Sequence, residues 1–153
     1  MSDTPEAPVP AKFQLLADSV DLFKGLTAHD VQVIFTKGMT LRVAQGDTVF
    51  HKNTTGNQMY VVLAGKVGVF DGPKMVAELG VGESFGEMSL LAHEPRSATV
   101  IALEMSNLFV LSEDIFQRLL TKRVAVQILL NLASSLGRKV KNMNLKLRES
   151  EGR

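Results

Sequence analysis

The 153-residue chain contains no cysteine, which excludes disulfides, cysteine-ligated zinc, iron–sulfur clusters and thiol chemistry. Neither sign of charge is in excess: 17 Lys and Arg face 16 Asp and Glu. Nucleic-acid binders usually carry a basic surplus, so this balance gives no electrostatic reason to expect one. No apolar run nears the roughly 20 residues of a membrane span. The opening Met1-Ser2-Asp3-Thr4-Pro5 lacks the basic-then-apolar order of a secretion signal. Histidine is sparse, and His29, His51 and His93 are scattered, unlike the clustered histidines and carboxylate of a metal-binding barrel enzyme. No nucleophile–base pair stands out. From these absences we expect a soluble, cytoplasmic, non-catalytic protein with no metal, membrane or nucleic-acid partner.

What is present divides into three textures. Residues 1–11 hold Pro5, Pro8 and Pro10 among small and acidic residues, the composition of a disordered tail. Over residues 13–37 the apolar positions Phe13, Leu16, Val20 and Phe23, then Val31, Ile34 and Phe35, recur at helical spacing. Gly25 interrupts them and Thr27 is a good N-cap, so two short helices are expected, the second starting at Ala28. From Gly38 onward, short β-prone runs alternate with glycine, asparagine and aspartate turns. They fall at 39–43, 48–51, 59–64, 66–70, 75–79, 84–85, 96–102 and 107–111. Eight short strands so punctuated predict a mainly β domain with flanking helices, an eight-stranded double-sheet jelly roll over 39–112.

Helical periodicity returns at the end. Ser112 can cap a helix over 113–122, with Glu113 and Asp114 in the first turn where the dipole favours them. A longer helix follows over 124–148. Its apolar residues Leu129, Leu132, Leu136, Val140, Met143 and Leu147 step by three and four, the spacing of a coiled-coil seam. A small roll cannot cover so long a stripe, which points to a homodimer paired through this helix. The basic run Arg138, Lys139, Lys141, Lys146 and Arg148 reads as its solvated face.

One segment between two strands, residues 85–100, is unlike an ordinary hairpin. Gly86 allows a sharp turn or a close approach. Glu87–Leu91 then favours a turn or two of helix, whose first amides can hold an anion. Pro95 stops that turn and Arg96 follows at the head of a β-branched strand. There its guanidinium can grip a phosphate through two parallel hydrogen bonds. Glu87 beside it would repel a polyphosphate but suits a sugar hydroxyl next to a singly charged phosphodiester.

Phe85-Gly86-Glu87 and Pro95-Arg96-Ser97-Ala98-Thr99-Val100 resemble the phosphate-binding cassette of the cyclic nucleotide-binding domain family. The resemblance continues through Asp21–Leu26, Gln45–Phe50, Gly56–Val67 and Gly80–Phe85, covering about residues 20–148. It implies that Glu87 accepts from a ribose 2′-hydroxyl and that Arg96 pairs with a cyclic phosphate. The amides near Gly86, Ser89 and Ser97, with the Ser97 hydroxyl, would complete the cradle. Met88 and Val61 would wall off the base. In the family's catabolite activator proteins a polar pair on the long helix contacts adenine. Here Lys139 and Val140 fall at that place, so Arg138, Lys139 or Asn142 is the replacement expected. Ser97 suits either purine, and cyclic AMP is favoured over cyclic GMP.

Family transcription factors continue into a helix-turn-helix, whereas this sequence ends at Arg153. The resemblance therefore implies a stand-alone regulatory module, domain 12–153, acting on a separate effector. The ligand would pull the cassette inward and draw the 113–122 and long helices onto the roll. A degenerate adaptor of the same fold that no longer binds nucleotide is the alternative. Haem or iron–sulfur sensing would need cysteines in the family's manner.

Overall fold

The computed structural model describes residues 8–151. Eight antiparallel strands form two four-stranded sheets. They are β1 (Met39–Val43), β2 (Thr48–Phe50), β3 (Gln58–Ala64), β4 (Val67–Asp71), β5 (Lys74–Leu79), β6 (Ser84–Phe85), β7 (Thr99–Ala102) and β8 (Ser106–Ser112). One sheet runs β1-β8-β3-β6 and the other β2-β7-β4-β5. The jelly roll expected from the turn spacing is the fold found.

The two sheets differ in burial because they face different things. Residues 59–62 of β3 are buried without a break, as are 108–111 of β8. Such continuous burial means that both faces are covered. Tyr60, Val62, Leu108 and Val110 point into the roll with Val43, Val67, Phe85 and Val100. Met59, Val61, Phe109 and Leu111 point out against the helices. In β5, five of six residues are exposed, so this outer edge meets water.

Helices α1 (Ala11–Ser19) and α2 (Ala28–Lys37) cover the first sheet, joined through a 3₁₀ turn at Asp21–Phe23. Phe35 of α2 stacks on Phe109 at 4.4 Å and meets Phe13 and Phe23 edge-on. The start of α2 is a capping box: Asp30 N–H donates to Thr27 Oγ1, and Thr27 N–H donates to Asp30 Oδ2. The expected tail falls mostly on residues 1–7, outside those described, and α1 begins at Ala11 rather than Phe13.

The C-terminal helices differ from the expectation. In place of an α-helix over 113–122 there is a single π-helical turn at Ile115–Leu119, and then α4 (Lys122–Glu151). Ser112 does cap the turn, accepting from Ile115 N–H at 3.3 Å. The Glu113 amide is already taken by Asn57 O at 2.9 Å. Leu120 then adopts extended backbone and inserts into the core, which ends the turn. Thr121 caps the restart, its Oγ1 3.4 Å from Val124 N. Along α4, Val124, Ile128 and Leu132 are buried against the first sheet's helical side. Leu129, Val140, Met143 and Leu147 are exposed. Among the described residues no helix is long and apolar enough to cross a membrane.

Candidate ligand-binding site

The site is built where β6 hands over to α3 (Glu87–Ala92). Phe85 pairs with Tyr60 of β3, which fixes the chain up to Gly86. Gly86 then takes a left-handed conformation, φ 80°, which only glycine adopts freely. The turn of helix ends at His93, also left-handed. Beyond it Arg96 is clamped by main-chain bonds on both sides: its N–H donates to Thr54 O, and its carbonyl accepts from Asn53 N–H. Regular β7 begins at Thr99 rather than Arg96, because the Arg96 backbone pairs with Asn53 and Thr54 of a loop instead of a strand.

Arg96 is 5% exposed. Its guanidinium lies over the Phe50 ring at 4.2 Å and near Tyr60 at 5.9 Å. Nη1 donates to Gly86 O at 3.2 Å. Glycines make this packing possible. A Cβ on Gly56 would sit 2.5 Å from Nη2, and one on Gly86 would sit 2.8 Å from Nη1. Among the described residues no carboxylate pairs with Arg96. Burial holds its pKa below the ordinary arginine value, opposed by attraction to the Tyr60 hydroxyl. Burial likewise pushes Tyr60 up, and the nearby guanidinium opposes that. The group nonetheless stays a cation at any physiological pH. A buried, charged fork with donors to spare faces an open concavity.

That concavity has a volume of about 260 Å³, near the lower end of small-molecule sites. Its polar lining includes Glu87, Ser89, Arg96, Ser97 and Lys139, and its apolar lining includes Phe50, Val69, Leu79, Phe85, Met88 and Val100. Gly86 and Glu87 form its rim beside Arg96, Glu87 being 6% exposed. Met88 is nearly half exposed and borders the opening. Ser97 lines it from the exposed side. Ser89 lines it too, although its hydroxyl donates to Glu94 O at 3.0 Å and so braces the loop.

Val61 is not brought to the cavity. Side chains alternate along a strand, and Val61 points with Met59 into the helix-facing core at 0% exposure. Tyr60 is the β3 residue on the correct face. Of the three candidates on the long helix, Lys139 alone reaches the cavity, and it does so by donating to Glu87 Oε1 at 2.7 Å. Arg138 and Asn142 instead line an adjoining groove of about 180 Å³ with Asp21, Glu83 and Asn131. Phe50, Tyr60 and Gly56 fall within the motifs that carry the resemblance, but the sequence gives no sign that they surround Arg96. Strict alternation from Phe85 across to β3 would have pointed to Tyr60. Gly56 read only as a turn residue, since nothing local shows that an arginine forty positions on needs its space.

His29, His51 and His93 lie on α2, after β2 and after α3. Among the described residues no three His, Asp or Glu side chains gather as a metal site would require.

Residues 40–123 match the cyclic nucleotide-binding domain family. The chain is 33% identical over 131 residues to the cyclic AMP receptor protein of Thermus thermophilus, covering 82% of this chain and 60% of that protein. It is 31% identical over 108 residues to the cAMP-dependent protein kinase regulatory subunit of Hypocrea atroviridis, covering 71% of this chain and 23% of that one. The crystal structure of Thermus thermophilus catabolite activator protein superposes with a TM-score of 0.75 at 32% identity, over 84% of this chain and 62% of that one. The chain thus spans less than two thirds of the length of these relatives. With the two-sheet roll and the Phe85–Val100 segment shaped as they are, the chain belongs to the cyclic nucleotide-binding domain family.

Proposed function

We propose that this domain binds a cyclic mononucleotide, cyclic AMP ahead of cyclic GMP, and serves as a regulatory module for a separate effector in the cytoplasm. The observation that carries the reading is Arg96: a cation at 5% exposure, fixed by main-chain bonds and two close glycines, with no carboxylate partner among the described residues. Burying such a charge costs several kcal/mol unless an anion meets it. A singly charged cyclic phosphodiester supplies one negative charge and two non-bridging oxygens that can accept from the guanidinium fork.

Glu87 accepts from the ribose 2′-hydroxyl in this arrangement. The Ser97 hydroxyl and the amides near Gly86 and Ser89 hold the remaining phosphate oxygens, and Met88 covers the base. A linear monophosphate brings a second negative charge close to the Glu87 carboxylate and is disfavoured. A degenerate adaptor would leave the burial of Arg96 without a use. The preference for adenine is supported by relatives named for cyclic AMP, while Ser97 serves either purine. Homodimerisation through the exposed stripe of α4 completes the proposal.

Calorimetry with cyclic AMP, cyclic GMP and linear AMP tests it. Cyclic AMP is expected to bind most tightly and linear AMP at least ten-fold more weakly. Equal affinity for the linear and cyclic forms would sink the phosphodiester reading.

A further inference from the structure

Two cations and one carboxylate line the cavity: Arg96, Lys139 and Glu87. The carboxylate is paired with Lys139 and not with Arg96. Lys139 Nζ donates to Glu87 Oε1 at 2.7 Å, with side chains 47% and 8% exposed respectively. Arg96 instead gives Nη1 to Gly86 O. The helix period explains why Lys139 arrives there. It lies two turns beyond Leu132, which is 1% exposed in the core, so the inward face of α4 continues through Lys139. Lys139 is the sole hydrogen-bond partner of the Glu87 carboxylate among the described residues, which leaves Oε2 with no protein donor. Among the described residues no side-chain oxygen is fully buried without a partner. Oε2 therefore borders accessible space, and Glu87 lines the cavity.

We propose that Lys139 is a positioning residue: by holding Glu87 through Oε1 it keeps the carboxylate off Arg96 and leaves Oε2 to accept from the ribose 2′-hydroxyl. The inference rests on reading the cavity as a cyclic-nucleotide site and deepens that reading. A carboxylate this buried is tolerated only while it is compensated, and the cavity offers it two cations. Were Arg96 its partner, a phosphodiester would have to displace a carboxylate from the guanidinium fork before binding there. Lys139 removes that competition. Its ammonium is a point donor on a flexible stem and stays at Oε1 when the sugar meets Oε2, so the Glu87 charge remains compensated in the bound state. Arg96 then serves the phosphate, Glu87 the ribose, and Lys139 serves Glu87. This role separates Lys139 from the base reading expected of the long helix, since it acts on the sugar through another side chain.

The test is calorimetric affinity for cyclic AMP and for 2′-deoxy cyclic AMP, on the wild type, Lys139→Met, Lys139→Arg, Glu87→Gln and the double variant of Lys139→Met with Glu87→Gln. The wild type is expected to favour the ribose form at least ten-fold, the contribution of a hydrogen bond to a charged acceptor. Lys139→Met keeps the stem and removes the charge. It should weaken cyclic AMP about ten-fold and shrink the preference for the 2′-hydroxyl below about three-fold, because Glu87 is no longer held for the sugar. Lys139→Arg, which restores the pair, should return both toward wild type. Once Glu87 is glutamine there is no carboxylate to hold, so adding Lys139→Met should cost less than about three-fold, the range of a half-exposed charge. That comparison strands no buried charge and stands even if Lys139→Met alone fails to fold. A loss as large in the Glu87→Gln background, or a loss in Lys139→Met with the 2′-hydroxyl preference intact, overturns the proposal and makes Lys139 a direct ligand contact. Unchanged affinity in Lys139→Met overturns it too, leaving a solvated ion pair. The wild type alone reports on the underlying reading: with no binding of either nucleotide the site falls, and with equal binding of both the ribose role of Glu87 falls, each taking the proposal with it.

Discussion

A guanidinium at 5% exposure with one backbone acceptor and no carboxylate partner among the described residues is a burden on the fold until an anion arrives. Its stacking on Phe50 at 4.2 Å recovers about 0.5–2 kcal/mol, less than the several kcal/mol of burying an unpaired ion. The two effects of removing it should then have opposite signs. Arg96→Met, similar in length and apolar, is expected to stabilise the protein alone by about 1 kcal/mol, the low end of what such replacements give. That would appear as a melting temperature higher by roughly 2–4 °C. The same variant should lose nucleotide binding by well over ten-fold, because each charge-assisted bond contributes about 1.5–3 kcal/mol. A lower melting temperature together with unchanged affinity would contradict both halves.

Gly56 tests the placement of Arg96 without touching its charge. A Cβ there would come within 2.5 Å of Nη2. The atom in the way is the tip of a flexible side chain, so the guanidinium yields and the backbone does not. Gly56→Ala is therefore expected to change stability by less than about 1 kcal/mol while weakening cyclic-nucleotide affinity at least ten-fold by calorimetry. At this scale the sequence was legible for groups that act through their own neighbours, Gly86, Glu87 and Arg96. It gives no sign that Gly56, Phe50 and Tyr60 pack around Arg96, which happens only once β2, β3 and the Arg96 backbone meet. Val61 was placed one residue off, and in a strand one residue is the opposite face.

Among the elements, the β-runs were readable because glycine and aspartate turns mark their ends; which way each side chain points was not, since β3 and β8 are buried on both faces. The join between β8 and α4 was not. Its π-helical turn depends on Asn57 O taking the Glu113 amide and on Leu120 reaching the core. Both are long-range contacts that reshape and end the turn, although Ser112 caps it as its local signal predicts. The start of α4 is fixed instead by Arg123, whose two terminal nitrogens donate to Asp30 Oδ2 and Oδ1 at 3.1 and 2.6 Å.

This fork and the Thr27 bonds hold the Asp30 carboxyl below the usual carboxylate range, against the opposing effect of its own burial. A carboxyl with a depressed folded-state pKa stabilises fully above its unfolded value. That stability is lost as pH falls through the folded one. Wild type should therefore lose urea resistance steeply below about pH 4. Asp30→Asn should be weaker at neutral pH and have a shallower acid limb, so that the two curves approach each other at low pH. Parallel curves across that range would show that the pair contributes nothing pH-dependent.

For the molecule as a whole, α4 raises the question of what covers it. The seam read from the sequence included Leu132, but Leu132 is 1% exposed in the core of its own domain. The exposed Ala133 stands where a strict heptad needs a residue between Leu129 and Leu136. Leu129, Ala133, Leu136, Val140, Met143 and Leu147 then step by four and three without interruption. Val140, β-branched, falls at an a position, which favours two strands in a parallel pair. Val140, Met143 and Leu147 are 57%, 63% and 58% exposed, and a lone stretch of helix this short is marginal in water. Pairing two copies buries these side chains and gives the distal helix the packing its own roll does not supply. Sedimentation velocity is accordingly expected to show a dimer whose melting temperature rises with protein concentration, since association stabilises only the folded form. Met143→Glu combined with Val140→Glu should give a monomer with the roll intact by far-UV circular dichroism. A wild type that stays monomeric at the highest soluble concentration would remove the pairing and leave the stripe without a partner in this chain.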